Sequence, residues 1–474
     1  METPRQHSET AKAHLGLWDA VNIIIGIVIG AGIYETPPYV FSQVPGPWTG
    51  MGVWLLAGIL CLIGSLCYAE LATTYPRLGG DYVYLSRAYG PPAGFLFGWA
   101  QLAVIQTGNI GMMAYVFSDY AVRLWGLDRG AGVVLAILPV VVLALLNMLG
   151  VVFGKDTQNV LTTAKVLGLG AILVAGFVWG DVHSSPSTPV VAERDWSIAM
   201  LGMAFIPVFL TYGGWNDAAF VAAELRERRR NIPRALILGT GIVTVIYLLV
   251  NGAYLLGLGF EGVRNSKAVA ADVLALVPRI GDSGAKAMCL IVMISALGAI
   301  NGLIFTSSRI YATLGADHSL FAWLGRWNPK TGSPTWSLLT LTLISLGMIV
   351  VVGTDKGRGA VNQILETVGI GEVKWEGPGG GFNTLLMFSA PVFWFFFLLT
   401  SIGLFVLRFK DRGIERPFRV PLFPIIPAIF FATCAYMLHS GINYAGKFGL
   451  IGGAVVLLGV PLYFLSKRNT SSTV

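Results

Sequence analysis

The stretch Gly26-Ile27-Val28-Ile29-Gly30-Ala31-Gly32 decides how this chain is read. It interrupts an apolar run from about residue 18 to residue 42, long enough for a helix to cross the hydrocarbon of a bilayer. Each glycine in a helix interior costs ~1 kcal/mol relative to alanine, so the helix is weak at this depth. A second weak stretch, Tyr212-Gly213-Gly214-Trp215-Asn216, interrupts the run from 198 to 225. Small residues also serve close helix packing, and either stretch alone is compatible with that role. The pair says more, because each lies a little over ten residues into its run and the two runs are the first and sixth of the chain.

Apolar runs of similar length recur on either side, clearest at 52–71, 133–152, 235–256 and 388–407. Mean hydropathy is +0.69 and 12% of residues are charged, too few to cover a soluble protein of 474 residues. We place spans at 18–42, 49–72, 93–124, 131–152, 158–179, 198–225, 234–259, 284–314, 335–353, 383–407, 423–443 and 446–466. The expected fold is therefore an all-α integral membrane protein of twelve transmembrane helices, one domain over 1–474. Five helices (about 15–180) are followed by five more (about 196–408), and an odd number inverts the second set. Helices eleven and twelve (about 422–467) stand outside this 5+5 inverted repeat. Interrupted segments at matching places in inverted halves point to a transporter's midplane site. Unwound backbone frees amides and carbonyls that lipid cannot satisfy and a polar ligand can. A zwitterionic amino acid fits, with its carboxylate on amides at a half-helix N-terminus and its ammonium on carbonyls.

Of the 32 Lys and Arg residues, 20 fall on the side of the termini and 11 on the other. That bias predicts cytoplasmic N- and C-termini in a cell inner (plasma) membrane. The clusters 226–234 and 408–419 dominate it and suit anionic lipid. The net charge of +7 does not call for a nucleic-acid partner, because the basic residues sit in short loops. Cys61, Cys67, Cys289 and Cys434 lie in apolar stretches and read as small hydrophobes. The histidines form no cluster, with His7, His14, His183 and His318 in terminal or loop positions. Neither a metal, a cofactor nor enzymatic chemistry is expected. The polar segment up to His14 lacks a signal-peptide layout, so the first span is expected to be retained. No Walker-type loop supports an ATP-driven pump, and no charged ring or filter repeat supports a channel.

Ile29-Gly30-Ala31-Gly32-Ile33 resembles the first-helix motif of the amino acid–polyamine–organocation (APC) superfamily. Tyr68-Ala69-Glu70-Leu71 and Tyr75-Pro76-Arg77-Leu78-Gly79-Gly80-Asp81-Tyr82 resemble its second-helix and loop region. Tyr212-Gly213-Gly214-Trp215-Asn216, Asn301-Gly302 with Thr306-Ser307-Ser308-Arg309, and Arg416-Pro417-Phe418-Arg419-Val420-Pro421 are similar to the L-type amino acid transporter branch. The resemblance runs in order over nearly the whole chain and implies the LeuT-type fold. It also implies that the amides of Gly30, Ala31 and Gly32 hold the substrate carboxylate, and that the carbonyls of Val28, Leu210 and Gly213 receive the amine. Family members often carry a serine at the Ala31 position and an aromatic gate at the Leu210 position. The animal L-type carriers join a glycoprotein through a cysteine between helices three and four. This chain has no cysteine from Asp119 to Ala131, so no disulfide-linked heavy-chain partner is expected. The loop from Gly371 to Gly381 is richer in glycine than the family pattern.

Ionisable residues inside spans are functional candidates by default. Lys165 lies near mid-membrane in the fifth span, too deep for easy snorkelling. The resemblance suggests that a fifth-helix lysine in a motif like Ala164-Lys165-Val166-Leu167 occupies the space where sodium-coupled relatives hold a cation. Independently, unwound carbonyls make a negative pocket that an ammonium with three donors can fill. Glu35 reads as a solvated vestibule carboxylate, and Asp217 as stabilising the N-terminus of a cytoplasmic half-helix. The expected function is sodium-independent secondary active transport of a neutral L-amino acid, by proton symport or exchange, with Lys165 in the coupling role. A cationic amino acid or polyamine substrate is the alternative, motivated by Glu35 and Asp217. A non-transporting amino acid sensor is another.

Overall fold

The structure, a computed structural model, describes residues 15–180, 198–278, 283–375 and 380–466. The chain runs through α1 (Leu17–Val28), α2 (Gly32–Ser42), α3 (Pro47–Thr74), α4 (Asp81–Tyr89), α5 (Pro91–Ala100), α6 (Gln106–Trp125), α7 (Gly132–Leu149) and α8 (Val151–Trp179). It continues through α9 (Ile198–Thr211), α10 (Arg228–Asn265), α11 (Val269–Leu274), α12 (Ser283–Asp317), α13 (Thr335–Gly353), α14 (Asp355–Thr367), α15 (Gly381–Lys410), α16 (Ile425–Leu457) and α17 (Gly459–Leu465). A parallel β-bridge joins Leu15 to Leu225. Its two rungs are Leu15 N to Glu224 O, 3.1 Å, and Arg226 N to Leu15 O, 3.0 Å.

Among the described residues eight helices are long and apolar enough to cross a membrane, and the bent pair α1 and α2 makes a ninth when taken as one span. The remaining expected spans are irregular. The third is α5 and α6 joined through a π-helical turn, Gln101–Ile105. The sixth is α9, then a three-residue turn, then a 3₁₀ helix from Trp215 to Glu224. The eleventh and twelfth run together as α16 and break at Gly446, where φ is +52°. The expected end of the seventh span, residue 259, coincides with a kink inside α10 at Gly259 (φ +70°). Three further helices, α4, α11 and α14, were not expected as helices. Part of the glycine-rich loop from Gly371 to Gly381 (376–379) lies outside the described residues.

α12 is the most enclosed of the long helices, and α1, α6, α7, α8 and the 215–224 helix all pack on it. α10 covers α1, α2 and α3, while α15 and α16 pair at the periphery. α16 with α17 is the least buried of the candidate spans, as expected of helices that face lipid. This arrangement encloses the two weak stretches at the centre.

Candidate functional site

The first break opens at the end of α1. Ile29 adopts φ −76° and ψ +82°, and Gly30 N donates to Val28 O across it at 2.8 Å, a tight three-residue turn. α2 restarts at Gly32, with α1 and α2 bent by 53°. The amides of Ala31, Gly32 and Ile33 reach no acceptor among the described residues. The free trio is therefore shifted by one residue from the expected Gly30, Ala31 and Gly32, because the turn consumes the Gly30 amide. At the second break α9 ends at Thr211 and Gly213 N turns back onto Leu210 O at 3.1 Å. Of the carbonyls expected to receive an amine, that of Gly213 is unengaged among the described residues, that of Leu210 accepts one bond, and that of Val28 accepts two, from Gly30 N and the Tyr247 hydroxyl. A carbonyl has two lone pairs, so that of Leu210 can accept again.

The breaks touch. Gly214 has φ +102°, a region that side-chain-bearing residues rarely adopt, and a Cβ there would stand 2.4 Å from the Ile27 side chain. A Cβ on Gly32 would stand 2.4 Å from Thr211 Oγ1. Three hydroxyl links tie the halves together. Thr36 and Thr211 meet at 3.1 Å, and Tyr34 meets Ser295 of α12 at 3.1 Å. Tyr247 of α10 places its hydroxyl 2.9 Å from Val28 O and 2.9 Å from Thr211 O, bridging the loose end of each half-helix. Edge contacts of Tyr247 with Trp54 and Tyr212 fix its ring. Sequence reading missed Tyr247, since a tyrosine in an apolar run carries no signal of what its hydroxyl reaches.

Lys165 is 0% exposed. Its ammonium donates to Gly26 O at 2.8 Å, Ile29 O at 2.6 Å and Ser295 O at 3.0 Å. Gly26 O and Ile29 O are carbonyls that an unbroken helix would have engaged with the amides of Gly30 and Ile33. Three donors thus meet three acceptors, two of them released by the break.

The two ends of the site differ in access. Glu35 is exposed, and Gly32, Leu210 and Gly213 are partly exposed. Glu35 accepts the Tyr120 hydroxyl at 2.6 Å, so the expected vestibule carboxylate lies at the open end. The opposite end is sealed. Glu224, at the end of the 3₁₀ helix, pairs with Arg309 of α12 at 2.8 Å, with side chains 3% and 2% exposed. Beyond it, Glu70 accepts from Arg408 and Arg416 and from Val420 N. Asp217 lies in the first turn of the 3₁₀ helix, where it was expected. Its carboxylate accepts from Gln106 Nε2 of α6 at 3.2 Å rather than from amides of its own helix. Among the described residues no cluster of His, Cys, Asp and Glu could hold a metal ion.

Comparison with known proteins agrees with this architecture. The amino acid permease family matches residues 15–455. The b(0,+)-type amino acid transporter 1 of Mus musculus is 29% identical over 95% of this chain and 87% of its own length. The large neutral amino acids transporter small subunit 2 of Mus musculus is 30% identical over 96% of this chain and 81% of its own. The cystine/glutamate transporter of Pongo abelii is 28% identical over 98% and 87%. With the family matched along nearly its full length around two broken, touching helices, the chain belongs to the amino acid permease family and is a membrane transporter of amino acids, not an enzyme.

Proposed function

We propose that this chain is a sodium-independent secondary active transporter of neutral L-amino acids, working by alternating access through twelve spans in a 5+5 inverted repeat. The observation that carries the proposal is the seat of Lys165, whose ammonium fills a cage of three carbonyls at the first break. A caged ammonium leaves no room or charge deficit for a sodium ion, so the driving force is a proton gradient or exchange against a second amino acid. The substrate carboxylate sits on the amides of Ala31 and Gly32, with Gly30 shaping the turn. The amine lies toward the carbonyls of Gly213, Val28 and Leu210. Around them stand Ala31, Leu210 and glycines, where an unpaired charge on a substrate side chain would be costly. The acids that motivated a cationic substrate are engaged elsewhere, Glu35 with Tyr120 and Asp217 with Gln106. A relative named for large neutral amino acids supports the same reading. We place both termini in the cytoplasm of the plasma (inner) membrane, and the chain works without a disulfide-linked heavy-chain partner.

The test is uptake and counterflow of labelled alanine, leucine and phenylalanine in proteoliposomes with sodium replaced by choline. Undiminished uptake is expected, with arginine and putrescine competing poorly. A strict sodium requirement would overturn the role given to Lys165. Binding without counterflow would make the chain a sensor.

A further inference from the structure

Asp217 is the buried acid for which the proposed cycle so far has no use. It is 3% exposed, and among the described residues its carboxylate meets no lysine, arginine or histidine. The other buried acids are better provided for. Glu70 and Glu224 have arginines, and Asp81 accepts two hydroxyls on Oδ1, from Tyr68 at 2.6 Å and Thr400 at 2.7 Å, while its Oδ2 has no donor among the described residues. Asp217 has the 3.2 Å bond from the Gln106 amide.

Among the described residues, Gln106 Oε1 is buried without a donor, as are Gln101 Oε1 and Asn216 Oδ1 on the neighbouring segments, while the Thr107 hydroxyl beside Gln106 is buried without a partner. The π-turn Gln101–Ile105 immediately precedes Gln106, and it is pinned by Tyr311 of α12, whose hydroxyl donates to Gln101 O at 3.0 Å. π-turns inside α-helices recur at functional sites, and this one sets the rotation at which Gln106 meets Asp217. The titratable groups facing Asp217 are Tyr311 from α12 and Asp81 from α4. Of the other elements packed on residues 215–224, α3 brings Tyr68, which donates to Asp81, and α10 brings Tyr247, which is engaged at the two breaks. α1 carries Asp19 at its far end, bonded to Gly16 N, and Glu224 on the same helix is held by Arg309. Apart from Arg309, which Glu224 engages, none of these groups supplies a positive charge.

We infer that Asp217 is a proton-binding site of the transport cycle, an inference that rests on the transport reading above. The proton sits on one carboxyl oxygen and donates to Gln106 Oε1, while Gln106 Nε2 donates to the other oxygen, so an acid–amide pair satisfies both side chains. The pair joins the 215–224 helix to α6. When that helix moves away from α6 to open the sealed end, the pair parts, water reaches the carboxyl, and the proton leaves to the cytoplasm.

The experiment is infrared difference spectroscopy of the full chain in liposomes across a pH titration, run beside uptake of labelled leucine. The wild type should show the carbonyl stretch of a protonated carboxylic acid that titrates with pH and is missing in Asp217→Asn. An inside-alkaline pH gradient should drive leucine several-fold above equilibrium in the wild type and not in Asp217→Asn. An identical titrating band in both proteins overturns the inference. So does a band that sodium chloride removes at constant pH, which would make the occupant a metal cation. Should Asp217→Asn fail to fold, Gln106→Leu takes its place, and it must move the band and its titration midpoint. An unmoved midpoint overturns the inference. Failure of wild-type counterflow would instead defeat the transport reading, and the infrared band is measured independently of it.

Discussion

Lys165 and Asp217 are both ionisable side chains shut away from solvent beside a helix break, and their surroundings are opposites. The ammonium of Lys165 has a carbonyl for each of its three donors. Among the described residues the carboxylate of Asp217 has one amide, from Gln106, whose own Oε1 lacks a donor. A buried charge whose bonds are complete resists any change of state, because each broken bond strands a polar group in a dry place. A buried acid whose bonds are incomplete becomes complete on taking a proton. On the inference drawn above, the two sites divide the work, one holding the first break in shape and the other taking up and releasing a proton beside the second.

The sharpest way to break this comparison is Lys165→Ala. It strands the two carbonyls released by the break at about 1–3 kcal/mol each, so leucine uptake should fall by about 100-fold, and the melting temperature should fall with it. An alanine variant with normal uptake would remove the distinction. Next comes the other completed charge, Arg309. Arg309→Met leaves Glu224 buried and unpaired and should cost about 3–5 kcal/mol in denaturant unfolding, while Glu224→Leu with Arg309→Met should recover most of it. The half-buried Leu210 lies one residue before the end of α9, beside the second break. Leu210→Ala should weaken leucine binding about five-fold by isothermal titration, the worth of ~1 kcal/mol of apolar contact. Unchanged affinity would move the gate elsewhere.

Asp217→Asn should barely touch stability, by less than about 1 kcal/mol, because the amide replaces a poorly served acid. A loss comparable to Lys165→Ala would show that Asp217 is also a completed charge. The smallest effect is at the rim, where Asp411 is bonded by Arg87 and Tyr75. Burial pushes its carboxyl up, but the bonds from Arg87 and Tyr75 outweigh that and hold it below the usual carboxylate range. A depressed folded-state value adds stability above the unfolded value of about 4 that is lost as pH falls through the folded one. Arg87→Gln should therefore cost under about 1 kcal/mol at neutral pH, and the difference from wild type should vanish in acid. A difference that grows in acid would contradict the sign.

What could be read from sequence follows the same physical lines. Gly30–Gly32 and Gly213–Gly214 announce themselves, since glycine at mid-membrane depth is a local signal needing no partner. Lys165 does too, because a charge in an apolar run has few excuses. The one-residue shift of the free amides was not legible, since it depends on a turn at Ile29 closed by a single 2.8 Å bond. Asp217 was visible, but Gln106 lies 111 residues away, just after a π-turn that no local pattern announces. The 3₁₀ form of residues 215–224 was equally hidden, because these residues are all buried and packing overrides propensity.

The bridge between Leu15 and Leu225 gives the protein a clock. Its two amides, on Leu15 and Arg226, donate across the gap between the start of the first helix and the end of the 3₁₀ helix. Deuterium can replace their hydrogens only while those strands are apart. The exchange rate of this one pair, followed by mass spectrometry of the peptides that carry it, therefore counts openings of the sealed end directly, without substrate, label or gradient.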